Sequence, residues 1–494
     1  MPAATILDAP KKHYGKLKNY VDGEWMDSTA PKSLDVVNPA LDEVIAEVPL
    51  STQEEVNTVA NIAQEAFLDW RETPPTKRQQ YFFTLKQLLE DHFEELSRII
   101  VQEMGKTIQE ARGEMRRTIE EVDCACGVPK LMHGYLAQDI SFGIDLRAIN
   151  EPLGVFCMIP AFNFPALVPM EYLPYALATG CTYIVKPSSE VPITQTRIFE
   201  LIHEAGFPPG VVNMIHGSRD VVKALIDHPF VKGVSFVGSS PVGKLLYEQA
   251  ARHGKRAQMA GGAKNHFVVM PDADLDKTVG AILSSFFGCS GQRCLAGSVL
   301  VPVGDIAEPL LDKLLAAASK MRMGYGLDEN MQMGALVSSK HRDNVIGFID
   351  KGVAEGAELL LDGRKKEPED CPNAAFVGPT VFDRVRPEMT IAQEEIFGPV
   401  ASVIRAADLD AALELIAANE FGHSAMIFTE SGRTAREFEY RATCGNIGIN
   451  IGVAATQAMA TLGSIKESFY GDLHGRSESI QFFTDRKIVI SRWS

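Results

Sequence analysis

The chain has 494 residues, 46% of them hydrophobic, and 64 Asp and Glu against 48 Lys and Arg give it a net charge of −16 at pH 7. That length exceeds what one hydrophobic core supports, so two or more large units are expected. So acidic a surface repels nucleic acid and anionic membranes over most approaches, which leaves small-molecule chemistry.

The N-terminal stretch MPAATILDAPKKHYGKLKNY has no apolar segment followed by a small-residue cleavage site, and no window reaches membrane-span length, so a cytoplasmic protein is expected. Residues 54–70 and about 77–106 repeat apolar positions at three- and four-residue spacing, which predicts two helices separated by Pro74-Pro75 and a mostly helical N-terminal third. Cys124-Ala125-Cys126 is the one tight cysteine pair. It lacks a second pair or a nearby histidine, the other cysteines are scattered, and there is no H-E-x-x-H, so free thiols and no metal are expected.

From Gly154 onward short apolar runs at 154–159, 181–186, 210–215 and 233–238 alternate with helical patterns at 195–205 and 241–254. The pattern resumes at 266–270, 298–303, 425–429 and 446–450, which predicts two α/β units with parallel sheets meeting near 260–265. The stretch 478–493 is rich in β-branched and aromatic residues, unusual at a terminus, and is expected to pair with something.

Several segments carry candidate chemistry. IPAFNFP (159–165) follows a predicted strand, where parallel sheets present ligand-facing groups; Asn163 there is either an oxyanion-stabilising donor or a turn former. Lys186-Pro187-Ser188 also ends a strand, and Lys186 is either a ribose or phosphate contact or an ordinary surface lysine. FVGSSPVG (236–243) passes from strand to helix with Gly238, Ser239 and Gly243, a weak dinucleotide signal without full G-x-G-x-x-G spacing. In FFGCSGQRCL (286–295) Arg293 precedes Cys294, and a neighbouring guanidinium lowers the cost of a thiolate, so Cys294 is either a nucleophile or a small buried residue before a strand. Cys289 is either a second reactive thiol or a packing residue. Glu395 and Phe397, in EEIFGP (394–399), are either a grip for ribose and nicotinamide or part of a solvated acidic turn.

Taken in order, these segments resemble the aldehyde dehydrogenase superfamily over essentially the whole chain. The resemblance implies an α/β aldehyde dehydrogenase fold: a Rossmann-like cofactor domain (1–137 and 152–262), an α/β catalytic domain (263–470) and a β oligomerisation arm (138–151 and 471–494). It makes Cys294 the nucleophile and Asn163, with the Cys294 backbone N–H, the oxyanion hole. Phe162, Lys186, Ser189, Gly238, Ser239, Gly243, Glu395 and Phe397 then hold NAD, in a homo-oligomer that is a dimer or a tetramer. Ser189 stands where the superfamily usually has the acidic residue that binds the adenosine ribose, and Glu190 comes one later, which leaves NADP open.

Hydrolytic members carry a glutamate four residues before the lysine of a Gly-Gly-Lys turn, where it activates water. Here that position is Ala260. Alanine accepts no proton, and general-base help is worth about 10²–10⁴-fold, so coenzyme A, whose thiol is itself a strong nucleophile, is the expected acyl acceptor. The stretches 261–276 and 291–294, and Phe162 in place of the usual tryptophan, are similar to the CoA-acylating methylmalonate-semialdehyde dehydrogenase group. That likeness implies that Arg293 and an early-helix arginine, Arg117, bind a substrate carboxylate, so the expected substrate is a short anionic semialdehyde such as methylmalonate or malonate semialdehyde. The alternatives are a solvated helix face for Arg117 and a hydrolytic NAD(P)-dependent enzyme releasing free acid.

Overall fold

The computed structural model describes residues 6–366, 368, 371, 374–455 and 458–493. Its first core is an eight-stranded sheet in the spatial order Glu24–Met26, Asn19–Val21, Val212–Met214, Thr182–Val185, Val155–Ile159, Val231–Val237, Arg256–Ala260 and Phe469–Gly471. The strands from Val212–Met214 to Arg256–Ala260 run parallel, with antiparallel partners at either side. Their near-continuous apolar composition follows from burial on both faces. Helix Gln53–Trp70 covers one face; its capping box (Thr52 with Glu55) fixes where it starts, and Val56, Val59, Ala60, Ala63, Phe67 and Trp70 form its buried stripe.

The second core is a seven-stranded sheet in the order Glu358–Leu361, Thr380–Asp383, Val400–Val403, Gly297–Pro302, Asn265–Val269, Ser424–Phe428 and Asn446–Ile449, all parallel but the first. Only Gly261–Lys264 separate the last parallel strand of one sheet from the first of the other.

The structure departs from expectation at both ends of the chain. The first fifty residues form strands, including the hairpin Ser33–Asn38 with Glu43–Pro49. The second predicted helix breaks at His92 into Pro75–Asp91 and Phe93–Met104. The terminal run divides too. Arg476–Phe483 is helical because Ile480, Phe482 and Phe483 anchor in the first core, where the Phe483 ring lies 4.8 Å from that of Phe156. Beyond it, Thr484–Arg492 pairs with Ile144–Pro152, which pairs in turn with Tyr135–Ser141. Tyr135, Leu136, Ile140, Phe142, Ile488 and Ile490 lie exposed on this three-stranded sheet. Among the described residues no helix is long and apolar enough to cross a membrane.

Candidate active site

Opposed strand ends build the site. In the first sheet Lys186 follows Val185, Asn163 lies just past Ile159, Gly238 follows Val237 and Gly261 follows Ala260, all at the carboxyl edge where parallel sheets receive ligands. In the second sheet the order reverses. Cys294 precedes strand Gly297–Pro302, and Glu395 and Phe397 precede Val400–Val403.

A tight turn aims the cysteine. Cys289 and Ser290 take φ of 48° and 54°, and Gly291, at φ 74°, packs so closely that a Cβ would lie 2.1 Å from the Gly398 carbonyl oxygen. Asn265 Nδ2 donates to the carbonyls of Cys294 and Ala296, each at 2.7 Å, and pins the segment onto the sheet. Asn163 meets it from the other side, with Nδ2 donating to the Gln292 carbonyl at 3.0 Å. A primary amide has two N–H donors, so one remains for an oxyanion. Behind Asn163 lies a buried ion pair that sequence reading missed. Lys106 Nζ donates to Glu114 at 2.7 Å and to the Asn163 carbonyl at 2.8 Å, while Glu114 Oε1 accepts from the backbone N–H groups of Ala166 and Leu167.

Cys294 opens into a cavity of about 440 Å³ lined by Ala260, Arg117, Arg293, Glu171 and His474 among others. Arg117 thus faces the cavity, not solvent; Arg116 is the one that turns outward, to Glu90 at 2.8 Å. Arg293 interacts electrostatically with the Cys294 sulfur but makes its direct contacts elsewhere. Its Nε donates to Cys289 Sγ at 3.2 Å, its Nη1 to the Ser284 carbonyl at 3.2 Å, and its Nη2 lies 3.5 Å from Glu110. Burial, then the Glu171 and Glu395 carboxylates, push the Cys294 thiol up to about 12. Cys289 is buried and packed, its thiol also raised by burial.

A second, small cleft joins Cys294 to Glu395 and Phe397. Glu395 Oε1 accepts from the Ala263 N–H at 3.0 Å, and burial pushes this carboxyl up to about 7. The ring of Phe162 lies edge-on to Phe397 at 5.7 Å, and His341 Nε2 donates to the Phe397 carbonyl at 2.8 Å, which leaves His341 protonated on that nitrogen. Further along the carboxyl edge Lys186 is buried, and the described residues give its ammonium no hydrogen-bonding partner; burial lowers it to about 8. Ser239 precedes helix Ser240–Arg252 without capping it, so first-turn N–H groups stay available. A buried ammonium and an open helix N-terminus on the same carboxyl edge suit an anionic group such as a pyrophosphate, with Glu395 and Phe397 suited to ribose and nicotinamide. Gly238 passes so close to Phe236 that a Cβ would meet its Cζ at 2.4 Å, whereas at Gly243 a Cβ finds ordinary contact at 3.4 Å, so space does not demand glycine there. Ser189 Oγ donates to the Gly217 carbonyl at 3.1 Å, and Glu190 is an exposed residue whose carboxyl is nonetheless raised by partial burial.

The Aldehyde dehydrogenase family model matches residues 25–489. The chain belongs to the aldehyde dehydrogenase family. This aldehyde dehydrogenase is 45% identical over 478 residues to malonate-semialdehyde dehydrogenase 2 of Geobacillus kaustophilus, covering 97% of this chain and 99% of that one. Among solved structures it superposes with a TM-score of 0.95 and 40% identity on methylmalonate-semialdehyde dehydrogenase of Oceanimonas doudoroffii, covering 97% and 99% of the two chains. A Sinorhizobium meliloti protein described as a methylmalonate-semialdehyde dehydrogenase, solved with NAD, gives 0.96 at 37% identity, covering 98% of each chain.

Proposed function

We propose that this aldehyde dehydrogenase oxidises a short carboxylated semialdehyde of the malonate type with NAD and passes the acyl group to coenzyme A. One observation carries the reading: a cysteine, two arginines and an alanine in the place of the hydrolytic base line a single cavity. Names of similar proteins support the substrate class, and the neighbour solved with NAD supports the cofactor.

In this mechanism the substrate carboxylate is held by the guanidiniums of Arg117 and Arg293, which sets the aldehyde carbon against Cys294. The thiolate adds, and the free amide N–H of Asn163 with the Cys294 backbone N–H receives the developing alkoxide. Bound NAD supplies the hydride acceptor, oriented by Lys186, Ser239, Glu395 and Phe397. Ala260 leaves water without a base at the thioester, so the CoA thiol takes the acyl group.

The test is product identity from malonate semialdehyde and methylmalonate semialdehyde with NAD, with and without CoA. Acyl-CoA formation, and NADH release that depends on CoA, is the expected result; equal rates without CoA and accumulation of free acid would refute the acyl transfer. Arg117→Ala should raise KM for these substrates far more than for an uncharged aldehyde. We further propose that the apolar three-stranded sheet joins copies of the chain into a dimer or tetramer, and that the two sheets mark a cofactor domain and a catalytic domain.

A further inference from the structure

Three carboxylates line the Cys294 cavity, and two of them are committed. Glu110 accepts from the Cys289 N–H at 2.5 Å and lies beside Arg293; Glu114 is bonded to Lys106 and two backbone N–H groups. Glu171 differs. It occupies the turn between the short helices Leu167–Met170 and Leu173–Thr179, and among the described residues no backbone N–H donates to its carboxylate. Its neighbour is His474, with Nε2 3.7 Å from Oε2, and His474 Nδ1 lies 3.2 Å from the Tyr172 hydroxyl.

The order of protons along this row follows from its chemistry. Burial holds the Tyr172 phenol well above its ordinary range, so it keeps its proton and can donate it to Nδ1. With that donation Nε2 is the nitrogen that carries a ring hydrogen toward Glu171. A carboxylate approached by a donor on one side and open to the cavity on the other is oriented to accept a proton there.

Cys294 needs such a group. Arg293 is turned to Cys289, Ala260 accepts nothing, and His423, which also lines the cavity, is bound through Nδ1 to Ser464 Oγ at 2.8 Å. We infer that Glu171 is the general base that removes the proton from Cys294 Sγ as the sulfur adds to the aldehyde, with His474 and Tyr172 as positioning residues. The S–H bond breaks and an O–H bond forms on Glu171; the freed sulfur pair makes the C–S bond, and Glu171 later releases the proton to solvent through the cavity. This rests on Cys294 being the nucleophile. The other charged or titratable groups facing Glu171 across the cavity are Arg117, Arg293, Glu110, Glu114 and His423, with Glu121 close behind.

The experiment measures the pre-steady-state burst of NADH from malonate semialdehyde and NAD without CoA, from pH 6 to 9. Glu171→Gln should slow the burst by about 10²-fold, Glu171→Ala should regain rate with added formate, and Tyr172→Phe should displace the pH profile. A carboxylate that only adds negative charge beside sulfur hinders thiolate formation, so an unchanged or faster burst in Glu171→Gln, or no rescue by formate, overturns the inference. If Glu171→Gln does not fold, Glu171→Ala without formate is read in the same way. Cys294→Ala separates the two levels: an enzyme that keeps its burst without Cys294 refutes the nucleophile itself, whatever Glu171 does.

Discussion

Arg293 Nε donates to Cys289 Sγ at 3.2 Å, so the guanidinium adjacent to Cys294 in sequence is tethered to a different sulfur in space. The tether, with Glu110 and the Ser284 carbonyl, fixes the guanidinium that the proposed function assigns to an anionic substrate. Cys289→Ala removes one hydrogen bond to a charged group, worth about 1 kcal/mol. KM for malonate semialdehyde should rise about fivefold while kcat stays nearly constant. Steady-state kinetics check this, and a fall in kcat alone would contradict it.

Ala260 faces the cavity at the end of its strand. Ala260→Glu should therefore place a carboxylate where it can activate water at the thioester, and CoA-independent NADH production should increase at least about tenfold. Assaying turnover with CoA omitted is sufficient. No increase would mean that a carboxylate there does not reach the thioester.

The Lys106–Glu114 pair is fully buried. Lys106→Met leaves the Glu114 carboxylate without its cation, which for a buried pair costs about 3–5 kcal/mol. The Asn163 carbonyl loses its donor in the same step. Denaturant unfolding should register the loss of stability, and the NADH burst should slow with it as Asn163 moves.

Glu395 is held up to about 7 by burial, and only its ionised form is a full acceptor for ribose hydroxyls. Protonation below that value weakens binding and ionisation above it strengthens it, so NAD should bind about tenfold more tightly at pH 8 than at pH 6. Lys264 titrates nearby, lowered to about 7 by its own burial, and its charge favours the Glu395 carboxylate while it lasts. Calorimetric titration across this range should give the slope in the native enzyme and a flat line in Glu395→Gln.

Much of this architecture can be read from residues because doubly covered parallel strands must be apolar throughout, as VFCMI at 155–159 and NHFVV at 265–269 are nearly so. The break at His92 has no such mark, since neither proline nor glycine interrupts the helical pattern there; packing alone turns the chain. Asn163, Cys294 and Glu395 stand out by their motifs, and the structure gathers them at facing strand ends. The Arg293 contact was hidden because it depends on positive φ at Cys289 and Ser290, which folds the turn back on itself. Glu171 did leave a trace: it is the single charged residue in PALVPMEYLPYALATG, 165–180, and an isolated carboxylate in an otherwise apolar run is a buried or functional group more often than a solvated one.

The short strap Gly261–Lys264 gives the fold a consequence for its diversification. On the proposed function, the residue that selects water or thiol as acyl acceptor ends one sheet at Ala260, and the strap beyond it carries the Ala263 N–H that holds Glu395 before the chain enters the other sheet. Product choice and cofactor grip are therefore written within four consecutive positions. A lineage changing one of these traits by substitution here works a few ångströms from the other, so the two should drift together through descent.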